Sequence, residues 1–406
     1  MLLYEIKKIF VKRVNRIALV VLVVCLAVIS YWTIRDVEYL QSNGVTLDTG
    51  RAAVQQLKED KNQWKGYLTE EVLKKVIVEN TALNVAPEAL GDDTAENNKV
   101  YAKKQAYMDI RDMISDIFSG FDGYDYYKAD NISVDEVSGL YEQRVHNLEQ
   151  YLIAEENAYS EEEKQFLIEN YESLKTPFYY EAFEGWKALL DSQYFSSFIT
   201  IVILVCGLFV AGIFSDEFTL KTDSIFFSTK LGRGKAVRSK CYAGVIVTTC
   251  TYWVVVGLYS AIVLGILGTD GANCPIQIYE WDSTYNISNV QYYLFTVMAG
   301  YVGCMFIIGI AMLVSAKTHS AILSITIPFM LTCVTPFLGR IPVLRNMMEL
   351  CPEVLIRLSS SIDEIKLVQV GENVFRTLDV MMFGYAFLAI GIIPLLYFTY
   401  RKTEVK

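Results

Sequence analysis

The sequence is poor in the residues from which many catalytic and metal centres are built. It contains only two histidines, His146 and His319, among 406 residues. Zinc sites with paired histidines and Ser-His-Asp triads both need imidazoles that lie close to other ligands or to a nucleophile. The sequence therefore predicts neither a paired-histidine metal site nor a hydrolytic triad.

A nucleotide-binding loop is also missing. The segment "LGRGKAV" at 231–237 contains a Gly-Lys pair. It lacks the earlier Gly and the following Ser or Thr of a loop that cradles phosphates. We therefore expect that the chain is not an enzyme, that it holds no catalytic residue, cofactor or metal ion, and that it does not bind ATP by itself.

Charge is absent from several long apolar stretches. Asp, Glu, Lys and Arg do not occur in residues 17–34, 195–214, 241–268, 291–316, 320–339 and 380–400. A helix needs about 20 apolar residues to cross a hydrocarbon core. A buried core helix explains one such stretch but not six, and the chain is 53% hydrophobic with a mean hydropathy of +0.29. The sequence predicts an all-α polytopic membrane protein with six transmembrane helices.

The lack of charge inside these stretches also bears on the source of energy. Ionisable side chains within spans usually mark ion or proton pathways, because a charge in hydrocarbon costs at least a few kcal/mol. An ion-coupled carrier is therefore disfavoured. The first stretch follows five basic residues, but the bulky, then charged segment "SYWTIRD" is no cleavage site, so we interpret it as a retained anchor.

The distribution of charge predicts the orientation. Residues 1–16, the loop 215–240, the turn "AKTH" and the C terminus carry 15 basic and 5 acidic residues, whereas the other loops carry 21 basic and 41 acidic ones. Basic loops stay in the cytoplasm. We expect a multi-pass protein of the cell (plasma) membrane with cytoplasmic termini, a large extracellular domain at 35–194, and extracellular loops at 269–290 and 340–379.

The predicted extracellular domain contains 32 acidic and 16 basic residues, and its apolar residues are spaced as in helices. Ser133 with Glu136 and Ser160 with Glu163 have the pattern of capping boxes. We interpret 90–98 and 119–131 as loops. The acidic face either attracts cationic peptides or metal ions or is a solvated surface, and the sequence leaves both open.

Two of the eight cysteines lie outside the apolar stretches and their edges, Cys274 in "NCPIQ" and Cys351 in "LCPEV". Disulfides persist in an extracellular environment. We hypothesise that these two residues pair and join the two small extracellular loops. Two free thiols are the competing interpretation.

The basic loop, residues 215–240, is the most distinctive segment. It begins with acidic residues, continues through the apolar "SIFFS", and ends in a basic stretch after Gly232 and Gly234. This order predicts a short amphipathic helix, a turn with a glycine hinge, and the start of the third span. Such a loop serves either as a lever for a soluble partner or as a topology signal that touches anionic lipid.

The stretch "DEFTLKTDSIFFSTKLGRGKAVRSK" resembles the loop between the second and third spans of type-2 ABC exporter permeases, in particular those of Gram-positive bacteria. The opening "LLYEIKKIFVKR" is similar to the amphipathic helix that precedes the first span in that family. The usual Pro before the Arg is replaced around Lys230. The residues of this chain that match the family pattern are Glu217, Lys221, Thr222, Ser228, Gly232, Arg233 and Lys240.

The resemblance implies a permease that works with a second permease copy or a paralogue and with two cytoplasmic ABC ATPase subunits, which bind ATP and Mg²⁺. The basic loop would be the coupling helix seated in the ATPase. Asp223, Lys230, Lys235 and Arg238 belong to the same predicted contact surface. Membrane lipid is a further partner, and nucleic acid is not.

The function expected on this basis is the transmembrane subunit of an ATP-driven exporter. Its cargo is open between antimicrobial peptide, drug, lipid and ion, with a slight preference for a cationic peptide because the predicted extracellular domain is acidic. The alternative is a membrane-anchored sensor or immunity protein whose extracellular domain binds a ligand without transport. Six spans are more than such an anchor needs.

Overall fold

The computed structural model describes residues 1–89, 94–154 and 158–403. It is 73% helical, and six of its helices are long and apolar enough to cross a membrane. This confirms the predicted helical, multi-pass character. The six segments are Arg13–Arg35, Ser192–Ala211, Gly232–Leu267, Asn289–Thr318, Ala321–Leu338 and Thr377–Arg401.

The chain begins with two helices that meet at an angle. Helix α1 (Leu2–Val11) is separated from the first span, α2 (Arg13–Arg35), by a single extended residue, Lys12. The side-chain amide of Asn15, in the first turn of α2, donates to the carbonyl of Ile9 at 2.8 Å. This bond fixes the corner between the two helices.

The segment between the first two spans, residues 36–191, forms what we call the large domain. It is built from short helices and two small antiparallel ribbons. Its elements are β1 (Glu38–Leu40), β2 (Leu47–Thr49), α3 (Arg51–Lys61), β3 (Gly66–Tyr67), α4 (Glu70–Asn84), α5 (Thr94–Lys104), α6 (Met108–Ser119), α7 (Lys128–Asn131), α8 (Leu140–Ala154), α9 (Glu161–Glu172), β4 (Tyr179–Tyr180) and α10 (Glu184–Leu190).

The remaining chain alternates long helices with short connecting elements. They are α11 (Ser192–Ala211), α12 (Asp216–Thr219), α13 (Asp223–Ser228), α14 (Val237–Leu267), α15 (Asn289–Thr318), α16 (Ala321–Phe329), α17 (Thr335–Leu338), α18 (Arg345–Met348), α19 (Glu353–Ile356), β5 (Leu367–Val370), β6 (Asn373–Arg376) and α20 (Thr377–Arg401). Strands β5 and β6 pair as an antiparallel hairpin.

Local predictions for the large domain are met in part. Both capping boxes form, although the one at Ser133 begins a short 3₁₀ turn and only the one at Ser160 begins an α-helix, α9. The expected loops at 90–98 and 119–131 are wrong in part, because α5 begins at Thr94 and α7 spans Lys128–Asn131. Residues 90–93 lie outside the described part of the chain.

A proline lies inside the fifth span. Pro328 lies in α16, and the backbone continues through a π-helical turn at Met330–Val334 into α17. The hydroxyl of Thr332 donates to the carbonyl of Pro328 at 2.7 Å.

The large domain packs on the ends of the spans through α10. Gly185 lies so close to the carbonyl of Gly268 that a Cβ atom would clash with it. The indole N–H of Trp186 donates to the carbonyl of Thr269 at 3.1 Å. These contacts hold α10 against the last turn of α14, so the domain and the helical bundle share one continuous core.

A buried arginine makes a second attachment. Arg144, on α8, donates to the carbonyls of Trp281 at 2.7 Å and Ser283 at 3.3 Å, and its guanidinium lies 3.9 Å from the centre of the Tyr171 ring. Trp281 and Ser283 belong to the connection between α14 and α15. We call this side of the molecule the domain end, and the opposite side, with α1 and the basic loop, the loop end.

Candidate functional site

The basic loop folds into two short helices at the loop end. Helices α12 and α13 are joined by a tight turn in which Lys221 adopts a φ of +55° and the N–H of Thr222 donates to the carbonyl of Glu217 at 2.8 Å. After α13, the chain turns at 229–231 and enters α14 through a π-helical turn, Gly232–Ala236. The predicted order of short helix, turn and third span is therefore present.

Glu217 is the centre of a buried ionic cluster that joins four helices. Its carboxylate accepts a hydrogen bond from the Lys240 ammonium, in the first turns of α14, at 2.8 Å. It also accepts bonds from Lys8 of α1 at 2.9 Å and from the hydroxyl of Tyr400, near the end of α20, at 3.3 Å. The loop is thereby fixed to α1 and to the third and sixth spanning segments.

The two lysines around Glu217 favour the ionised form of its carboxyl group. Burial opposes ionisation of Glu217, but Lys240 and Lys8 together outweigh it and hold the pKa of its carboxyl below the usual value. The Lys240 side chain is fully buried, and its ammonium also donates to the carbonyl of Ile213 at 2.6 Å. A buried charge is tolerated only when it is paired and hydrogen-bonded, so these groups depend on one another.

A second ion pair strengthens the link to α1. The ammonium of Lys12 lies 2.6 Å from a carboxylate oxygen of Asp216. Helix α1 thus lies along α12 and α14 and holds the start of the basic loop through two lysines, Lys8 and Lys12. The sequence pattern identified α1 as an amphipathic helix but contained no signal for these contacts, which join residues about 200 positions apart.

The end of the basic loop is held by the chain's last helix. Arg233 donates to the carbonyls of Arg401 at 2.8 Å and Thr403 at 3.0 Å, and its guanidinium lies 5.0 Å from the centre of the Phe227 ring. Phe227 itself is buried against Tyr400. The interior of the loop is therefore an aromatic cluster closed by an arginine.

The outer side of the loop combines apolar and basic groups. Leu220 and Ile225 are 65% and 67% exposed, and Leu231 is also exposed. We call this set, together with the exposed basic side chains around it, the loop surface. Its basic members are Lys221, Lys230, Arg233, Lys235 and Arg238.

The predicted site residues differ in how far they are buried. Glu217 and Lys240 come together as a buried pair, and Gly232 is buried where a Cβ atom would clash with the carbonyl of Phe226. Asp223 is half-buried. The others are exposed, namely Lys221, Thr222, Ser228, Lys230, Arg233, Lys235 and Arg238.

The hypothesis of a disulfide between the two small loops is not met, because both cysteines are free thiols. Cys274 is buried, and its thiol contacts the carbonyl of Glu181 at 3.5 Å. Cys351 instead contacts the carbonyl of Met347 in its own loop at 3.6 Å. The two thiols thus contact different carbonyl groups and not each other.

The described residues contain no group of three or more His, Cys, Asp or Glu side chains arranged to hold a metal ion. Comparisons with protein-family models, with curated proteins and with solved structures find no match to this chain. The assignment of a function therefore depends on the geometry of the loop end.

Proposed function

We propose that this chain is the transmembrane permease subunit of an ATP-driven exporter of the type-2 ABC kind. In this proposal a separate ATPase, present in two copies, binds ATP and Mg²⁺ in the cytoplasm and contacts the loop surface. The permease pairs with a second copy of itself or with a paralogue. The cargo, an antimicrobial peptide, a drug, a lipid or an ion, leaves toward the side that holds the large domain.

One observation carries the proposal: the basic loop is rigidly held from within and open on its outer side. The Glu217 cluster connects α12 to α1, α14 and α20, so a force on the loop reaches several long helices at once. The exposed leucines and isoleucine of the loop surface have the mixed apolar and basic character expected of a docking site for a soluble protein.

The apolar stretches support an external source of energy. The six charge-free stretches of the sequence contain no ionisable pair that a proton or a sodium ion would use. Work on these helices then has to come from a partner, and the basic loop is the segment built to receive it.

Co-purification from native membranes tests the proposal. We expect a stoichiometric ATPase subunit to accompany the protein in mild detergent. Two variants should lose that subunit: Lys230→Ala/Lys235→Ala, and the same variant with Ile225→Asp added. All three residues are exposed and belong to the loop surface.

The matched control is Arg13→Ala/Arg16→Ala, which removes two exposed basic residues at the same end of the molecule but outside the loop. It should retain the ATPase. Purification of the protein alone, or equal loss in loop and control variants, would contradict the proposal. A signalling partner in place of an ATPase would favour the sensor alternative.

A further inference from the structure

A cavity of about 530 Å³ lies at the domain end, between the large domain and the first two spans. Its walls include Asp36 at the end of α2 and Tyr194 in the first turn of α11, which face Leu57 of α3 and Met108 of α6. Its volume is typical of small-molecule sites. The cavity therefore lies between the large domain and two helices that would move during transport.

Part of the cavity lining is a balanced ionic network, in which Lys61, Asp109 and Glu184 are buried. The ammonium of Lys61 lies between Asp109, at 2.6 Å, and Glu184. Lys187 lies 3.3 Å from the other oxygen of Asp109, and the hydroxyl of Tyr180 donates to Asp109 at 3.1 Å. Burial opposes ionisation of Asp109, but Lys61 and Lys187 outweigh it and hold its pKa below the usual value.

The remaining charged residues of the wall are all acidic. They are Asp36, Glu38, Asp112 and Asp191, so the lining contains six carboxylates and two ammonium groups. Asp112 has a basic partner behind the wall, Arg111 at 3.2 Å. Within the described residues, Asp36, Glu38 and Asp191 form no ion pair with a basic side chain; Asp36 accepts a hydrogen bond from the Tyr194 hydroxyl and Asp191 caps α11.

Two other cavities of the large domain show that this excess is not a general result of the acidic composition. One, also of about 530 Å³, contains Asp60 and Glu79 balanced by Lys75 and Lys103. The other, of about 470 Å³, contains one acidic and one basic residue. The negative charge is therefore concentrated in the cavity that touches the spans, where low-dielectric walls strengthen its field.

The arrangement of the carboxylates indicates the kind of cation. The described residues hold no cluster that matches a metal site, although six carboxylates line the cavity. The lining also includes apolar side chains, among them Val37 and Leu57, and the rings of Tyr101 and Tyr194. A single metal ion would leave most of this surface unused, whereas an organic molecule with several separated cationic groups would contact all of it.

We propose that this cavity binds an organic polycation, a molecule with at least two ammonium or guanidinium groups on a partly apolar frame. A polyamine and a short basic peptide share this chemistry. The inference rests on the proposed function where it identifies the polycation as cargo, and it narrows the cargo to one chemical class.

Binding to the full-length protein in lipid nanodiscs tests the site. Fluorescently labelled spermine and a labelled tetrapeptide of lysine are the two probes, each with an acetylated, uncharged counterpart. We expect at least one cationic probe to bind, its acetylated form to bind at least about tenfold more weakly, and binding to weaken as salt is raised. Which probe binds distinguishes the two sources of the chemistry.

The variant Asp36→Asn/Glu38→Gln should weaken that binding about fivefold or more, since it removes two carboxylates without basic partners. The control Glu88→Gln/Glu142→Gln removes the same charge from exposed positions of the large domain and should leave binding unchanged. Failure of both probes at millimolar concentration, or equal weakening by the two variants, would overturn the inference.

The same samples separate this inference from the proposed function. The cavity variant should still co-purify with the ATPase, because its changes lie at the opposite end of the spans from the basic loop. Probe binding without any ATPase would refute the exporter and leave the cavity as the ligand site of a sensor. An ATPase with no probe binding would refute the cavity and leave the exporter.

Discussion

Glu217 shows how a single side chain controls the loop end. It is buried, and two lysines and a tyrosine donate to it. Its replacement by Gln would leave the Lys240 ammonium buried beside a neutral amide, with the Ile213 carbonyl at 2.6 Å and Glu5 at 3.5 Å as its remaining partners. The cluster is thus a structural requirement for the basic loop before it is a functional one.

We therefore expect Glu217→Gln to lower the free energy of unfolding by about 3 kcal/mol, because removal of one partner strands a buried charge. The double variant Glu217→Gln/Lys240→Met should recover part of this loss, since it removes the stranded charge as well. Thermal unfolding in detergent, followed by intrinsic fluorescence, measures both.

Asp223→Asn is the control for this pair, because Asp223 is half-buried in the same loop and forms no ion pair with a described basic residue. A single variant as stable as the wild type would show that the cluster contributes nothing. A double variant no more stable than Glu217→Gln would contradict the stranded charge as the cause of the loss.

The sequence predicted only some of the residues that form this cluster. Glu217 and Lys240 stood out because the basic loop resembles a known pattern, and the structure brings them together. Lys8, Lys12 and Tyr400 did not, because their roles depend on how distant helices pack. Residue types within one loop can be read locally, whereas contacts between segments 200 residues apart cannot.

At the scale of elements, an acidic cluster crosses the contact between the large domain and the small loops. Asp116 lies on α6, Glu280 and Asp282 on the connection between α14 and α15, and Asp363 before β5. Burial, followed by repulsion from neighbouring carboxylates, raises the pKa of Asp116 to about 7 and that of Glu280 to about 8. Burial and Asp363 raise the pKa of Asp282 to about 6.

These shifts predict that the contact weakens as pH rises. A carboxyl whose pKa is higher in the folded state than in the unfolded one binds its proton more tightly when folded. Its contribution to stability is complete below the unfolded pKa, near 4, and is lost as pH rises toward about 8. We expect the melting temperature to fall by about 5 °C between pH 5.5 and pH 8.5.

The variant Asp116→Asn/Glu280→Gln should flatten this dependence, because neutral side chains have no proton to lose. Asp135→Asn/Glu142→Gln, two exposed positions of the large domain, should keep the slope of the wild type. Parallel melting curves for all three proteins across this pH range would show that the cluster does not titrate as proposed.

Elements differ in how well a sequence reveals them. The six apolar helices were predicted because their length and lack of charge exceed what a soluble core requires, and the structure differs mainly at their ends. The ribbon of β3 and β4 was missed for two reasons. Each strand has only two residues, too few to show an alternating pattern, and the two strands lie more than 100 residues apart in the sequence. The helix at Thr94–Lys104 was missed in part because its polar first turn resembles a loop.

At the scale of the whole molecule, the loops that differ in charge also pack at different ends of the helical bundle. The large domain and the two small loops meet at the domain end, through Arg144 and through Arg376, which donates to the carbonyl of Thr284 at 2.6 Å. The basic loop, α1 and the last turn of α20 meet at the loop end. The segregation of basic from acidic loops along the sequence thus corresponds to two ends of one bundle.

The orientation follows as a prediction. A cysteine introduced at Glu142, exposed on α8, should react with a membrane-impermeant maleimide in intact cells, whereas one at Lys230 should react only after permeabilisation. The basic end is expected to stay in the cytoplasm. The unmodified protein measures the background from its native cysteines, and the reverse labelling pattern would invert the topology.

The bonds between α1 and the basic loop also have a consequence for synthesis. Asp216 and Glu217 are made 204 and 209 residues after Lys12 and Lys8, respectively. At 5 to 20 residues per second this interval lasts roughly 10 to 40 seconds. During it the two lysines lack their carboxylate partners, so closure of this corner is a late event in the maturation of the chain.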